Sequence, residues 1–291
     1  MRPLSLVSHV NADGDIVRAW LEHYRALGVS HFRLVAHGPP EENATLLGLR
    51  GEFHVEILDS YEEPYTPGEK GRRLAPILDT LADEWVLLVD SDEFLELPLG
   101  TLEATVAALE HARADALAAP MVQRIRQDGS LESPAVIADP FGEFPLCAPD
   151  LYRNMGVRAS IDKFPLVRRG RGRRFNPGFH DPPEGAVPGP PSLRGVTHHF
   201  KWRAPVWERL RRRAESQHRY RHESVGYLDY LARHGERLPL TGTFTYSREE
   251  LFRRRLLRRP TALERLFHPL RPYATAASPT GLLRRVRARL S

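Results

Sequence analysis

Four polar residues close a short apolar run in the stretch EWVLLVDSDEFLEL (84–97): Asp90, Ser91, Asp92 and Glu93 follow Trp85, Val86, Leu87, Leu88 and Val89. Carboxylates two apart on an extended backbone project to one side, so Asp90 and Asp92 suit a single hard cation, and such a cation suits a phosphate-bearing substrate. A bare D-x-D is common by chance, and its plain alternative is a solvated turn capped by Asp90. The elements around the tripeptide weigh the two readings.

The apolar run is too short to span a membrane and rich in β-formers, which predicts a strand buried on both faces. Upstream, Leu4–Val10 reads as a strand. The helical spacing of Ile16, Val17, Trp20, Leu21, Tyr24 and Leu27 predicts a helix capped by Asn11 or Asp13 and stopped by Gly28. Phe32–Ala36 and Phe53–Leu58 read as strands around a short helix at Glu41–Leu49. A Pro/Gly-rich loop over Tyr61–Gly71 leads to a helix marked by Leu74, Ile77, Leu78 and Leu81. This alternation predicts an α/β fold: a mostly parallel central sheet with helices on both faces, followed by a basic helical C-terminal extension. Ligands collect at the C-terminal ends of strands in such sheets, where Asp90 and Asp92 fall, and this favours the functional reading.

Downstream, Thr101–Arg113 is predicted as a helix, and Ala116–Gln123, Ile161–Val167 and Gly195–Trp202 as strands. Asp128–Pro149 and Pro182–Pro191 read as turn-rich loops. Val206–Tyr230 is a basic helical stretch. The expected division is one domain over 1–240, with halves meeting near 125, and an arginine-rich extension over 241–291.

Hydrophobic residues make up 41% of the 291, enough for a core, so a disordered tail is excluded. The net charge is +5, and all but Lys70, Lys163 and Lys201 of the 42 cationic residues are arginine. With abundant Ala, Leu and Pro, this fits a GC-rich coding bias and lowers the weight of any arginine run. A single cysteine, Cys147, excludes an internal disulfide framework and a cysteine-built zinc site. No apolar run is long enough to span a bilayer and no signal peptide is expected, so a cytoplasmic protein is expected, with peripheral contact at the inner face of the cell membrane as an option.

The stretch VNADGDIVRAWLEHYRALGVSHFRLV, followed by a strand ending in D-S-D-E-F, resembles GT-A-fold glycosyltransferases related to family 2, in the branch with a D-x-D-E-F centre. The resemblance covers about Leu4–Arg213. It implies transfer of a sugar from a nucleoside-diphosphate donor to the hydroxyl of a glycan or lipid-linked acceptor in surface-glycan or glycoconjugate synthesis, by one inverting displacement. It implies ligation of Mn2+ or Mg2+ by Asp90 and Asp92, with Ser91 and Glu93 beside the donor. The family often adds a histidine preceding an aromatic residue, and His199 before Phe200 matches it; alternation turns only one of His198 and His199 to the site. By the same resemblance Lys70, Arg72, Arg73 and Lys163 meet the donor or its phosphates, and Asn11 and Asp13 the nucleoside. The general base stays open among Asp181, Asp150 and Asp128, with His180 less typical. One departure bears on the base: relatives carry an acidic residue after the second strand, where this chain reads AHGPPEENAT, with His37 in the nucleoside position.

Two other classes compete. Metal-dependent phosphoryl transfer or hydrolysis would use the same acidic strand end, but the G-x-x-x-x-G-K-[ST] loop is absent. The segment 251–291 carries eleven arginines after position 251 against one glutamate, which raises a basic surface-binding protein. It lacks aromatic residues spaced for base stacking, so no nucleic-acid partner is expected. Instead Leu282–Leu290 reads as a short amphipathic helix for an anionic membrane surface or for the protein body.

Overall fold

The computed structural model describes residues 4–11, 13–63, 66–81, 84–157, 160–169, 174–215 and 221–259. Strand and helix alternate through the first third: β1 (Leu4–Asn11), α1 (Val17–Leu27), β2 (Val29–His37), α2 (Ala44–Phe53), β3 (Val55–Tyr61), α3 (Pro67–Asp79) and β4 (Trp85–Leu88). Then come β5 (Glu93–Glu96), α4 (Leu102–His111), β6 (Ala116–Leu117), β7 (Met121–Ile125), α5 (Pro140–Glu143), β8 (Leu146–Cys147), α6 (Leu151–Asn154) and β9 (Leu166–Arg168). The order closes with β10 (Val196–His199), α7 (Val206–Glu215), α8 (Arg221–Arg233), β11 (Phe244–Thr245) and α9 (Arg248–Arg253).

A six-stranded sheet has the order β3-β2-β1-β4-β9-β6. Strands β1 to β4 pair in parallel and β9 is antiparallel to both its neighbours, so the fold is α/β with β4 inside the sheet. Alternate residues of each strand enter different cores. Leu6, Leu34 and Leu87 pack with Trp20, Leu21 and Leu46 of α1 and α2. Val7, Val35, Val86 and Leu88 pack with Leu74, Ile77 and Leu78 of α3. Both faces of β4 are therefore covered, which is why its sequence, Trp85–Leu88, is apolar throughout. A second sheet of five strands, β11-β8-β7-β10-β5, stands beyond the end of β4.

Several predicted elements shift. Neither Asn11 nor Asp13 caps α1 with its side chain; the Asp13 carbonyl accepts the Ile16 and Val17 amides at 3.0 and 2.9 Å, and Gly28 ends the helix at φ 105°. Helix α3 begins inside the predicted loop, because Thr66 caps it by accepting the Glu69 amide at 3.0 Å. The predicted strand Ala116–Gln123 is two strands in two sheets, parted around Pro120. A proline donates no ladder hydrogen bond, and its carbonyl instead accepts the Thr197 amide at 3.0 Å. Of Ile161–Val167 only the end joins a strand, but the Ile161 and Lys163 carbonyls accept the Met121 and Ala119 amides at 2.6 and 2.8 Å. Within the loop predicted over Asp128–Pro149 the chain forms α5 and β8.

The boundary expected at 240/241 falls inside the packed body. Phe244 and Thr245 pair with Cys147 and Leu146, and Leu251 is buried with Val122, Cys147 and Val196. The helix expected at Leu282–Leu290 lies outside the described residues. Among the described residues no helix is long and apolar enough to cross a membrane.

Candidate functional site

The acidic turn after β4 is held from three sides. Trp20 Nε1 donates to the Asp90 carbonyl at 3.1 Å, Tyr24 Oη donates to the Glu93 carbonyl at 2.9 Å and accepts the Leu95 amide at 3.0 Å, and Ser8 Oγ donates to the Val89 carbonyl at 2.6 Å. Trp20 and Tyr24 are one helical turn apart, so the W-x-x-x-Y spacing of α1 places both on the face that meets this turn. From the second sheet, β10 pairs with β5 so that His199 stands opposite Glu93, and the Phe200 amide donates to the Asp92 carbonyl at 2.8 Å. Two sheets thus fix the turn.

The turn opens on a cavity of about 640 Å³, a size that suits a small-molecule ligand. Asp90, Ser91, Asp92, Glu93, Lys70, Lys163 and His199 face it, as do Asn11, Asp13, His180 and Asp181. The two aspartates have separate partners. Asp90 Oδ1 accepts from the Lys70 ammonium, and Oδ2 lies 3.8 Å from Lys163 Nζ. Burial would raise its pKa, but the two lysines outweigh it and hold the carboxyl below the usual range. Asp92 Oδ2 lies 3.4 Å from His199 Nε2. Burial again opposes ionisation there, yet His199, with Arg209 and Arg203 behind it, keeps Asp92 well below the carboxylate range.

Lys163 Nζ reaches Glu93 Oε1 at 2.7 Å and the Gly178 carbonyl at 2.7 Å, with both side chains of the ion pair almost wholly buried. A buried pair of this kind costs desolvation and is kept in place by its extra hydrogen bonds.

In this donor set Asp92 offers the carboxylate oxygen that Mn2+ and Mg2+ both prefer, and His199 an imidazole nitrogen that suits Mn2+ better than Mg2+. Among the described residues no three His, Cys, Asp or Glu side chains converge to hold a metal ion by themselves. Asp90 is turned to Lys70 instead, since an ammonium on α3 points at it. The set fits a cation that takes the rest of its shell from water and substrate oxygens.

Asp13 serves the frame of the pocket. Its carboxylate accepts from Ser91 Oγ, from Arg203 at 2.6 Å and from Arg209 at 3.0 Å, while Arg203 also binds Asp15. Asn11 meets His37, whose other ring nitrogen lies 2.9 Å from the Glu63 carbonyl; His37 itself borders the cavity without lining it. Burial lowers the His37 pKa.

Other expected residues are not brought in. Arg72 is bound to Glu69, and Arg73 to Glu69 and Asp59 over the Tyr61 ring, because the acidic first turn of α3 draws them away. Asp150 pairs with Arg153 at 3.0 Å and Asp128 lies by Arg126 and Arg237; neither lines the cavity. His180 and Asp181 do. His180 Nδ1–H donates to the Asp162 carbonyl at 2.8 Å, and burial together with Lys163 lowers its pKa. Asp181 Oδ2 accepts from Asn176 Nδ2 at 2.9 Å.

Sequence reasoning missed His9, Tyr152, Lys201, Arg209 and Tyr227, all of which line the cavity. Alternation along β1 turns His9 in step with Asn11, the one available signal. His9 meets Tyr61 Oη at 2.7 Å, and burial, with Lys70 and His37 beside it, pushes its pKa down to about 3. Burial and Arg213 pull the Lys201 ammonium down to about 7.

No family model matches the chain, and no curated protein matches it. Similar solved structures include S. aureus TarS 1–349 in complex with UDP-GlcNAc, 11% identical over 99% of this chain and 92% of that chain, with a TM-score of 0.37. The inositol-1-phosphate CTP transferase from T. maritima is 15% identical over 45% of this chain and 56% of that one, with a TM-score of 0.23. At these scores the likenesses carry no argument about activity, and the α/β fold stands on the chain's own strand order and packing.

Proposed function

We propose that this chain is a GT-A-type glycosyltransferase that moves a sugar from a nucleoside-diphosphate donor to an acceptor hydroxyl, with Mn2+ or Mg2+ as cofactor. The observation that carries the reading is the pairing of Asp92 with His199 at the mouth of a parallel-sheet strand, in a cavity also faced by Lys70 and Lys163. Carboxylate and imidazole hold a cation there, and buried ammonium groups beside them suit a diphosphate.

Asp92 and His199 would hold the cation, which would supply positive charge against that developing on the departing nucleoside diphosphate. Lys70 and Lys163 are the protein's own positive charges toward the phosphates, with Asp90 and Glu93 fixing their positions. The acceptor oxygen forms its bond to the anomeric carbon as the bond from that carbon to the diphosphate oxygen breaks, which inverts the centre. The hydroxyl proton goes to Asp181 or His180, the two candidates that face the cavity. A glycan or lipid-linked acceptor is the class proposed, and contact with an anionic membrane belongs to the same proposal.

The test is Asp92→Ala, assayed for transfer and donor hydrolysis in Mn2+. A loss of at least a hundredfold is expected, and unchanged activity would refute the metal role. Thermal stabilisation by nucleoside diphosphates and nucleotide sugars, but not by simple phosphoesters, separates this reading from phosphoryl transfer.

A further inference from the structure

The lobe of the cavity built by α6, α7 and α8 carries positive charge that the acidic turn does not neutralise. Lys201 Nζ stands over three rings, 4.3 Å from the centroid of Tyr227, 4.8 Å from Trp202 and 5.5 Å from Tyr152. Asp92 and Glu223 are near enough to be felt. Even so, no carboxylate among the described residues lies within ion-pair distance of this ammonium. Arg209 reaches into the same cavity from α7. Its NH1 binds Asp13 at 3.0 Å, while its NH2 is buried with no hydrogen-bond partner among the described residues.

A buried donor without an acceptor costs about 1–3 kcal/mol, and more when charged. Aromatic faces return only part of that to a desolvated ammonium. Arg209 NH2, a buried donor left unpaired, and Lys201, an ammonium with no carboxylate in reach, belong to residues that line one cavity, and an oxyanion ligand would satisfy both where a neutral hydroxyl would not require them. Lys70 and Lys163 have carboxylate partners at Asp90 and Glu93, and Arg209 has one at Asp13, so of the three lysines it is Lys201 whose charge no carboxylate meets.

We infer that Lys201 and Arg209 form a phosphate-oxyanion site in the α7–α8 lobe, separate from the lysine pair at the acidic turn. The ligand is a phosphate oxygen, borne by the diphosphate of the donor or by a phosphorylated acceptor. This deepens the glycosyltransferase reading and rests on it for those two sources, while the oxyanion chemistry itself does not depend on sugar transfer.

The test compares the full chain with Lys201→Met, which keeps an unbranched apolar stem against the three rings, and Lys201→Arg, which keeps the charge. Calorimetric titration uses inorganic pyrophosphate with Mn2+ as one probe and glycerol 3-phosphate as the other. Lys201→Met is expected to weaken at least one probe tenfold or more at unchanged thermal midpoint, with Lys201→Arg restoring most of it. Loss toward pyrophosphate assigns the site to the donor, and loss toward glycerol 3-phosphate alone assigns it to the acceptor; either supports the site. Wild-type affinity for both probes in Lys201→Met, or no binding of either by the wild type, overturns it. Should Lys201→Met fail to fold, Lys201→Gln takes its place under the same criteria. Failure here leaves the Asp92→Ala result untouched, so the two proposals fall separately.

Discussion

Replacing Glu96 with Gln should loosen the joint between the C-terminal segment and the body. Glu96 on β5 is largely buried, and its carboxylate gathers Tyr246 Oη, Arg248 NH1 at 2.8 Å and His198 Nε2 at 3.3 Å. Burial raises its pKa, but these donors outweigh it and bring the group from 4.5 down to about 2. A change of that size favours the ionised form by about 3 kcal/mol. Removing one partner of a buried charge cluster costs about 3–5 kcal/mol, so two routes agree on the order of magnitude. The expected loss is about 3 kcal/mol in urea unfolding at pH 7.5. Tyr246→Phe should lose about 1–2 kcal/mol, and the double variant less than the sum, since both act on one carboxylate. Glu96, Tyr246 and Arg248 lie outside the cavity, so nucleotide affinity should hold in the folded variants. A loss below about 0.5 kcal/mol, or strict additivity with Tyr246→Phe, would refute the claim that this cluster fastens residues 244–253 to the sheet.

Acid should destabilise the protein before its carboxylates titrate. His9, His23 and His198 are buried, and burial is the first cause lowering their pKa values from 6.5 to about 3, 4 and 4. The unfolded chain then binds more protons than the folded one as pH falls below 6.5, so stability present above that pH is lost toward pH 4, by about 3 kcal/mol per histidine. A thermal midpoint that stays level from pH 6.5 to 4.5 would contradict this. Gly129→Ala should cost about 1–3 kcal/mol, because φ is +71° and an added Cβ would stand 2.7 Å from the Leu238 carbonyl oxygen; an unchanged urea midpoint would show that the turn relaxes freely.

The alternation of strands and helices, the buried run before Asp90 and the turn away from solvent of only one face of α1 were legible from residue order, because periodicities of 2 and 3.6 are local properties of the backbone. The same period ruled that only one of two neighbouring histidines meets the site, but not which: the pairing of β10 puts His198 into the core beside Glu96 and His199 into the cavity. What each charged group then meets was decided only by tertiary pairing. Asp90 and Asp92 are two residues apart, yet one faces a lysine from α3 and the other a histidine from β10. Asp13 belongs to arginines nearly two hundred positions away, and Arg73 is held by an acidic helix turn rather than by the pocket. Pro120 splits an apparently continuous strand between two sheets, and Lys201 comes to rest on rings from α6 and α8. Hydrophobic spacing fixes which face of an element turns inward. It carries no information about which distant element supplies the partner, because that depends on strand order and on the packing of helices across the sheet ends.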